Sequence, residues 1–250
     1  MPDSEKCSVL GAIPARWGST RFPGKPLELI AGKPLVQHVW ERCSECSSLT
    51  DVVVATDDAR IFEAVEAFGG KAVMTRDDHP SGTDRMAEVA EAFPDHDVLI
   101  NIQGDEPLID PKLIDQLAEA LVADANLPMI TAANPMASDD PAINDPNVVK
   151  VVFDVNGLAL YFSRSALPFQ RNVDVPELTV YRHKGIYGFR RSFLLEFVSW
   201  EPSVLERVEG LEQLRAMENG ARIRVISTDD ESPGIDTPEQ AALLNEQLLG

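Results

Sequence analysis

The sequence predicts an α/β fold: a mostly parallel, Rossmann-like sheet with helices on both faces. Short apolar runs alternate with segments of helical period through the first half of the chain. Turn and cap residues lie between them, so each run has its own start and stop. Such alternation joins parallel strands by helical crossovers. Length and composition agree, since 250 residues at 44% hydrophobic and 25% charged can bury a core without disulfide or metal.

In chain order, residues 8–14 read as a buried strand and 34–47 as a helix. A strand follows at 52–56, with Asp58 placed to cap a helix over 59–68 that Gly69 and Gly70 stop. Next come a short strand at 71–74, a helix at 83–92, a strand at 97–103, a helix at 112–123 and a strand at 129–133. Residues 134–147 hold Pro135, Pro141 and Pro146 among Asn and Asp, and read as loop. The grammar then changes to neighbouring strands, 148–154 and 157–163, joined at Asn156-Gly157, a hairpin signal. A strand at about 181–189, helices near 191–198 and 210–218, a strand at 222–227 and a helix from Pro238 complete the chain. The reading is a single domain over 1–250, with about 154–205 as a β-rich excursion forming a substrate wall or dimer surface.

Twenty-two Lys and Arg against 41 Asp and Glu give a net charge of −19. Nucleic acids and anionic membranes bind through many cations, so neither is an expected partner. No apolar run nears the ~20 residues a bilayer needs. The acidic start lacks a basic, cleavable leader, so the expected location is cytoplasmic. Cys7, Cys43 and Cys46 cannot all pair, and the Cys43–Cys46 spacing lacks the two further ligands of a structural zinc. They read as buried thiols, with a metal or redox site as the alternative.

In an open α/β sheet, ligands bind beyond the carboxyl ends of the strands. Residues 6–27 contain no acid in a strongly acidic chain, and the loop after the first strand carries Arg16, Arg21 and Lys25 with Ser19 and two glycines. Such a loop can cradle a polyphosphate through backbone N–H groups and cations. It is neither G-x-G-x-x-G nor a P-loop, being one residue too long, with Pro26 in place of the metal-binding hydroxyl. Asp105, in Gln103-Gly104-Asp105-Glu106-Pro107, could hold Mg²⁺ against phosphate or could simply form a turn. Asp236 precedes a helix capped by Thr237 and serves either a metal or the helix dipole.

The loop from Arg76 through His79 to Ser81 and Gly82 ends in a natural N-cap, Ser81, whose free N–H groups could meet a base or phosphate. His79 itself reads as a loop histidine. On the strand near 181–189, His183, Gly185 and Tyr187 share a face, and the glycine leaves room for a ligand. Glu212 and Gln213 lie off the buried stripe of their helix, and Arg164 could meet a carboxylate or be an ordinary surface arginine.

Seven segments carry a resemblance over nearly the whole chain: IPARWGSTRFPGKPL (13–27), VVVATDD (52–58), SGTDR (81–85), INIQGDEPLI (100–109), HKGIYGFRRSFL (183–194), LEQLRAMENG (211–220) and GIDTPEQ (234–240). Together they resemble the CMP-KDO synthetases, the 3-deoxy-manno-octulosonate cytidylyltransferases of Gram-negative bacteria. The resemblance implies a nucleotide-diphospho-sugar transferase type of fold, transfer of CMP from CTP to an acidic sugar, a Mg²⁺ requirement and a homodimer. It implies that Arg16, Ser19, Arg21 and Lys25 hold the triphosphate, and Arg76, Ser81, Gly82 and Gln103 the cytidine. Asp105 and Asp236 would hold the metal, with Lys25 beside them in catalysis. Arg164, His183, Tyr187, Glu212 and Gln213 would line the sugar pocket. A sialic acid or the 8-amino analogue of KDO is the near alternative acceptor, and a non-catalytic nucleotide-binding regulator the distant one.

Overall fold

The structure is a computed structural model that describes residues 7–18, 22–172, 175 and 178–250. Its strands are β1 (Val9–Pro14), β2 (Leu29–Ile30), β3 (Lys33–Pro34), β4 (Asp51–Thr56), β5 (Lys71–Met74), β6 (Val98–Asn101), β7 (Met129–Met136), β8 (Lys150–Phe153), β9 (Ala159–Ser163), β10 (Val180–Arg190) and β11 (Ile223–Ser227). Its helices are α1 (Leu35–Ser44), α2 (Ala59–Ala67), α3 (Gly82–Ala92), α4 (Pro111–Ala123), α5 (Arg191–Phe197), α6 (Val204–Glu209), α7 (Gln213–Glu218) and α8 (Pro238–Leu249).

One sheet runs in the order β11-β7-β10-β6-β1-β4-β5, with β8 and β9 added beside β10, and β2 pairs β3 apart from it. β6, β1, β4 and β5 are parallel, as the alternating pattern requires. Side chains alternate between two cores. Val9 and Ile13 of β1 join Val54 of β4 and Ile100 of β6 under α1, α2 and α4. Leu10 and Ala12 join Val53, Ala55 and Leu99 under α3, α5 and α7. Each fully buried aliphatic side chain is worth about 1.5–3 kcal/mol against exposure, more than the ~1 kcal/mol of a typical loop hydrogen bond. Core packing therefore sets where the strands end, and the loops inherit those positions.

The expected caps are local and form. Asp58 accepts from the Arg60 N–H, Ser81 from Thr83 and Asp84, and Thr237 makes a capping box with Gln240. Three expectations are corrected. Residues 134–147 are not all loop, because Asn134, Pro135 and Met136 continue β7 by pairing with Arg182, Tyr181 and Val180. The 154–205 segment is not wholly an excursion, since β10 lies inside the sheet, antiparallel to both β6 and β7. What branches from the main strand order is the β8–β9 hairpin, joined to β10 through β8. The helix expected at 210–218 is shorter: Gly210, at φ 63°, ends the preceding α6, and α7 begins only at Gln213. The unforeseen α6 buries only Glu206, which pairs with Arg215 of α7 at 2.5 Å, so it shows no apolar stripe.

Gly104 seats the end of β6 against the end of β1. A Cβ there would stand 2.6 Å from the Pro14 carbonyl oxygen, a backbone atom that cannot swing aside. Gly104→Ala is expected to cost about 1–3 kcal/mol, as overpacking does, lowering the urea midpoint at unchanged m-value. An unchanged midpoint would show that the two strand ends are not in contact there.

Candidate active site

Because β1, β4, β5, β6, β7 and β11 run the same way, the loops after them open on one edge of the sheet. β10 runs against them. Its Tyr187 pairs with Asn101, the last residue of β6, so residues 183–186 stand beyond that end, over the same edge. Two cavities lie along this edge.

The first, about 340 Å³, is lined by Arg16, Lys25, Ser81, Gly82, Gln103, Asp105 and Asp236, all expected here. The loop leading to Lys25 is shaped by Gly24, which has φ 74° and whose Cβ would lie 2.8 Å from the Trp17 ring. The Arg60 guanidinium stacks on the same indole at 3.3 Å from the ring centroid, and the Gly24 N–H donates to the Trp17 carbonyl. Lys25 Nζ then reaches Asp105 Oδ2 at 2.7 Å and Asp236 Oδ1 at 3.3 Å. Asp236 arrives because the Ile235 N–H donates to the Asp105 carbonyl at 2.8 Å. Ser19 and Arg21 lie outside the described residues.

A second ion cluster sits behind the first. Lys184 Nζ meets Glu106 Oε2 at 2.9 Å, Asp230 Oδ2 at 3.4 Å and the Ser232 hydroxyl at 3.0 Å. Burial pushes the Glu106 carboxyl up, against the opposing pull of Lys184. This cluster ties β10, the Asp105 loop and the 228–236 segment together, and no sequence signal pointed to it.

Arg76 is not brought to the cavity wall: its side chain is 67% exposed and lies 3.7 Å from Asp78 and Glu88. Its backbone N–H donates to Glu88 Oε2 at 3.1 Å. Two other residues of the same loop and helix line the cavity instead. Arg85 donates to Asp57 Oδ2 at 2.6 Å and to the Thr75 hydroxyl, and His79 is bonded through Nε2 to Glu88.

The second cavity, about 290 Å³, gathers His183, Gly185, Tyr187, Glu212 and Gln213 as expected, with Thr83 donating to Glu212 Oε2 at 2.6 Å. A register break between Lys184 and Tyr187 opens the strand here, and a Cβ on Gly185 would meet nothing within 4 Å. The Thr131 hydroxyl donates to the Ile186 carbonyl at 2.7 Å, so at 2.9 Å from His183 Nε2 it accepts the ring N–H. Enclosure of the His183 ring by the sheet pushes its pKa down to about 4, although its edge reaches the cavity. Burial, and then the Glu212 charge, push the Tyr187 phenol up. Gln103 lines both cavities and donates to the Gly185 carbonyl at 2.7 Å, which makes it the partition between them.

Arg164 is also not brought to the cavities. It donates to the carbonyls of Pro146 at 2.9 Å and Glu209 at 2.6 Å, and lies in neither cavity wall. The terminal carbonyls of α6 hold it as a brace. Among the described residues, the second cavity wall therefore carries no cation, and Glu212 is its charged group.

Cys7, Cys43 and Cys46 are free, and burial pushes the Cys43 thiol up and the Cys46 thiol to about 12, as inert groups require. Among the described residues no three metal-binding side chains cluster, and no helix is long and apolar enough to cross a membrane.

A family model described as cytidylyltransferase matches residues 10–223. A 3-deoxy-manno-octulosonate cytidylyltransferase of Pelobacter propionicus is 49% identical over 250 residues, covering 96% of this chain and 97% of that protein. One from Pseudomonas syringae pv. tomato is 53% identical over 237 residues, covering 91% and 92%. A solved structure of CMP:2-keto-3-deoxy-manno-octonic acid synthetase complexed with CTP superposes with a TM-score of 0.92 at 42% identity, covering 97% of this chain and 98% of that one.

The His183 environment sets a pH dependence. A free histidine titrates near 6.5 and His183 near 4, so between those values the unfolded chain binds a proton the folded chain does not. Its contribution to stability is present above pH 6.5 and falls as pH drops toward 4. NMR should find the His183 ring neutral at pH 5.5, and His183→Gln should reduce the loss of urea stability between pH 7 and 4. A ring titrating near 6.5 would contradict its enclosure.

Proposed function

Because the chain belongs to the cytidylyltransferase family, and within it to the 3-deoxy-manno-octulosonate cytidylyltransferases, we propose that it transfers CMP from CTP to the anomeric hydroxyl of 3-deoxy-D-manno-octulosonate (KDO). Pyrophosphate is released, and the product supplies lipopolysaccharide synthesis. The observation that carries this reading is the pair of cavities meeting at Gln103: one with a lysine between paired carboxylates, the other sized for a sugar and edged by His183, Tyr187, Glu212 and Gln213.

In this reading Arg16 and Lys25 neutralise phosphate oxygens. His183, Tyr187, Glu212 and Gln213 hold the acceptor by its hydroxyls, and Gln103 sets its approach to the α-phosphorus. The acceptor's carboxylate points away from Glu212, toward the cations of the first cavity, because Arg164 is spent elsewhere. The bond from the anomeric oxygen to the α-phosphorus forms as the bond to the β-phosphate breaks, the hydroxyl proton being released. Orientation across the partition does much of the work, since aligned reactants react as though far more concentrated.

The residues fit a magnesium ion. Asp105 and Asp236 offer only oxygen, are already drawn together by one cation, and number no more than the one or two carboxylates Mg²⁺ commonly takes beside substrate phosphates. When bound there it would offset negative charge on the triphosphate. A homodimer is part of the proposal, supported by Leu160, Phe169, Val204 and Val208, large apolar side chains left exposed on the hairpin region and α6. The 8-amino analogue of KDO is a second reading, because an ammonium would suit Glu212 in a wall without cations.

Pyrophosphate release should be assayed with CTP, UTP, ATP and GTP against KDO, 8-amino-KDO and a sialic acid. CTP with KDO is the expected pair; release only with UTP, or with an aldose 1-phosphate, would refute the proposal. Asp105→Asn and Asp236→Asn are each expected to lose most of kcat at nearly unchanged Tm. Their effects should be far from additive, as for groups acting through one ion. Near-normal turnover of Asp236→Asn would leave that residue only its place ahead of α8.

A further inference from the structure

The chemistry of His79 has no place in the proposed reaction so far. Its side chain is 2% exposed, yet it lines the first cavity beside Ser81 and Gly82. Nε2 contacts Glu88 Oε2, and that carboxylate also accepts the Arg76 backbone N–H at 3.1 Å. An ionised carboxylate can only accept, so in the neutral ring the proton resides on Nε2 and Nδ1 presents a lone pair. Nδ1 is buried and has no hydrogen-bond partner. A buried acceptor left unpaired is costly, and such an atom in a cavity wall calls for a donor from a ligand.

The position of His79 says which part of a nucleotide would supply that donor. Lys25, Asp105 and Asp236 gather the charges over the ends of β1 and β6. His79 is anchored through Glu88 to Arg76, two residues past β5, at the other end of the parallel run. With the phosphates at the charged end, the base lies toward His79. We propose that His79 Nδ1 accepts a hydrogen bond from the exocyclic amino group of the cytosine ring and so determines the choice of cytosine over uracil. Uracil places a carbonyl oxygen where cytosine has its amine, setting acceptor against acceptor. Glu88 is the positioning residue, because it fixes the tautomer that makes Nδ1 an acceptor.

This inference rests on the first cavity being the nucleotide site, and its test is read by binding without an acceptor sugar. The probes are CTP, UTP and the triphosphate of pyrimidin-2-one riboside, which lacks the amino group, titrated calorimetrically into the full chain. The wild type should bind CTP at least about tenfold more tightly than the amine-free analogue, the scale of one buried hydrogen bond. In His79→Phe that ratio should collapse toward unity while affinity for inorganic tripolyphosphate holds. His79→Ala serves if the phenylalanine does not fold. CTP, and not UTP, should also move the His79 Nδ1 resonance of the wild type in ¹⁵N NMR. A CTP-to-analogue ratio equal in wild type and variants, or an Nδ1 resonance indifferent to CTP, would overturn the role of His79. Absence of pyrophosphate release with KDO would bear on the proposed function alone.

Discussion

One ammonium group shared by two carboxylates organises the catalytic edge of this molecule. Lys25, Asp105 and Asp236 come from the loop after β1, the loop after β6 and the segment after β11. Two carboxylates brought together without a cation would repel by a few kcal/mol at a partly buried site. Lys25 removes that cost and leaves the trio one charge negative. The same two segments are tied again behind the site, where Lys184 holds Glu106 and Asp230. Breaking a buried pair of that kind exposes an uncompensated charge, so the buried cluster resists displacement and the open one is positioned by it. The backbone bond from Ile235 to Asp105 lies between the two clusters along the chain and keeps them in register.

The second constraint is the direction of β10. A strand parallel to β6 would end at the edge and leave it; running antiparallel, β10 enters from beyond that edge and brings His183, Gly185 and Tyr187 over it. Its register break turns carbonyls to side-chain donors, Thr131 taking residue 186 and Gln103 taking residue 185. Gln103 can therefore stand between the two cavities only because the ladder is interrupted there. A continuous ladder would have used that carbonyl and left Gln103 without its partner between the two cavities.

What the sequence made legible was local or periodic. The apolar runs of β1, β4 and β6 declare buried parallel strands, and Asp58, Ser81 and Thr237 cap the next few N–H groups along the chain. Lys25, Asp105 and Asp236 were readable because each follows a strand that must end on the same side. Contacts decided by distant pairing were not. Nothing near Arg164 indicates that the C-terminal carbonyls of α6, some 45 positions on, would claim its guanidinium. Arg76 and His79 sit three positions apart in one loop, and only the docking of Glu88 decides that the histidine turns inward while the arginine stays in water. β10 looked peripheral because its partners β6 and β7 precede it by long stretches of chain.

The central claim is that Asp105 and Asp236 form a cation site whose resident in this structure is the Lys25 ammonium. Binding of Mn²⁺ to the nucleotide-free protein, followed by electron paramagnetic resonance in the wild type and in Lys25→Met, tests it most directly. With the competing ammonium removed, the variant should bind Mn²⁺ several-fold more tightly than the wild type while its affinity for CTP falls. Equal Mn²⁺ affinity in the two proteins would contradict the claim and reduce the two carboxylates to a structural ion pair.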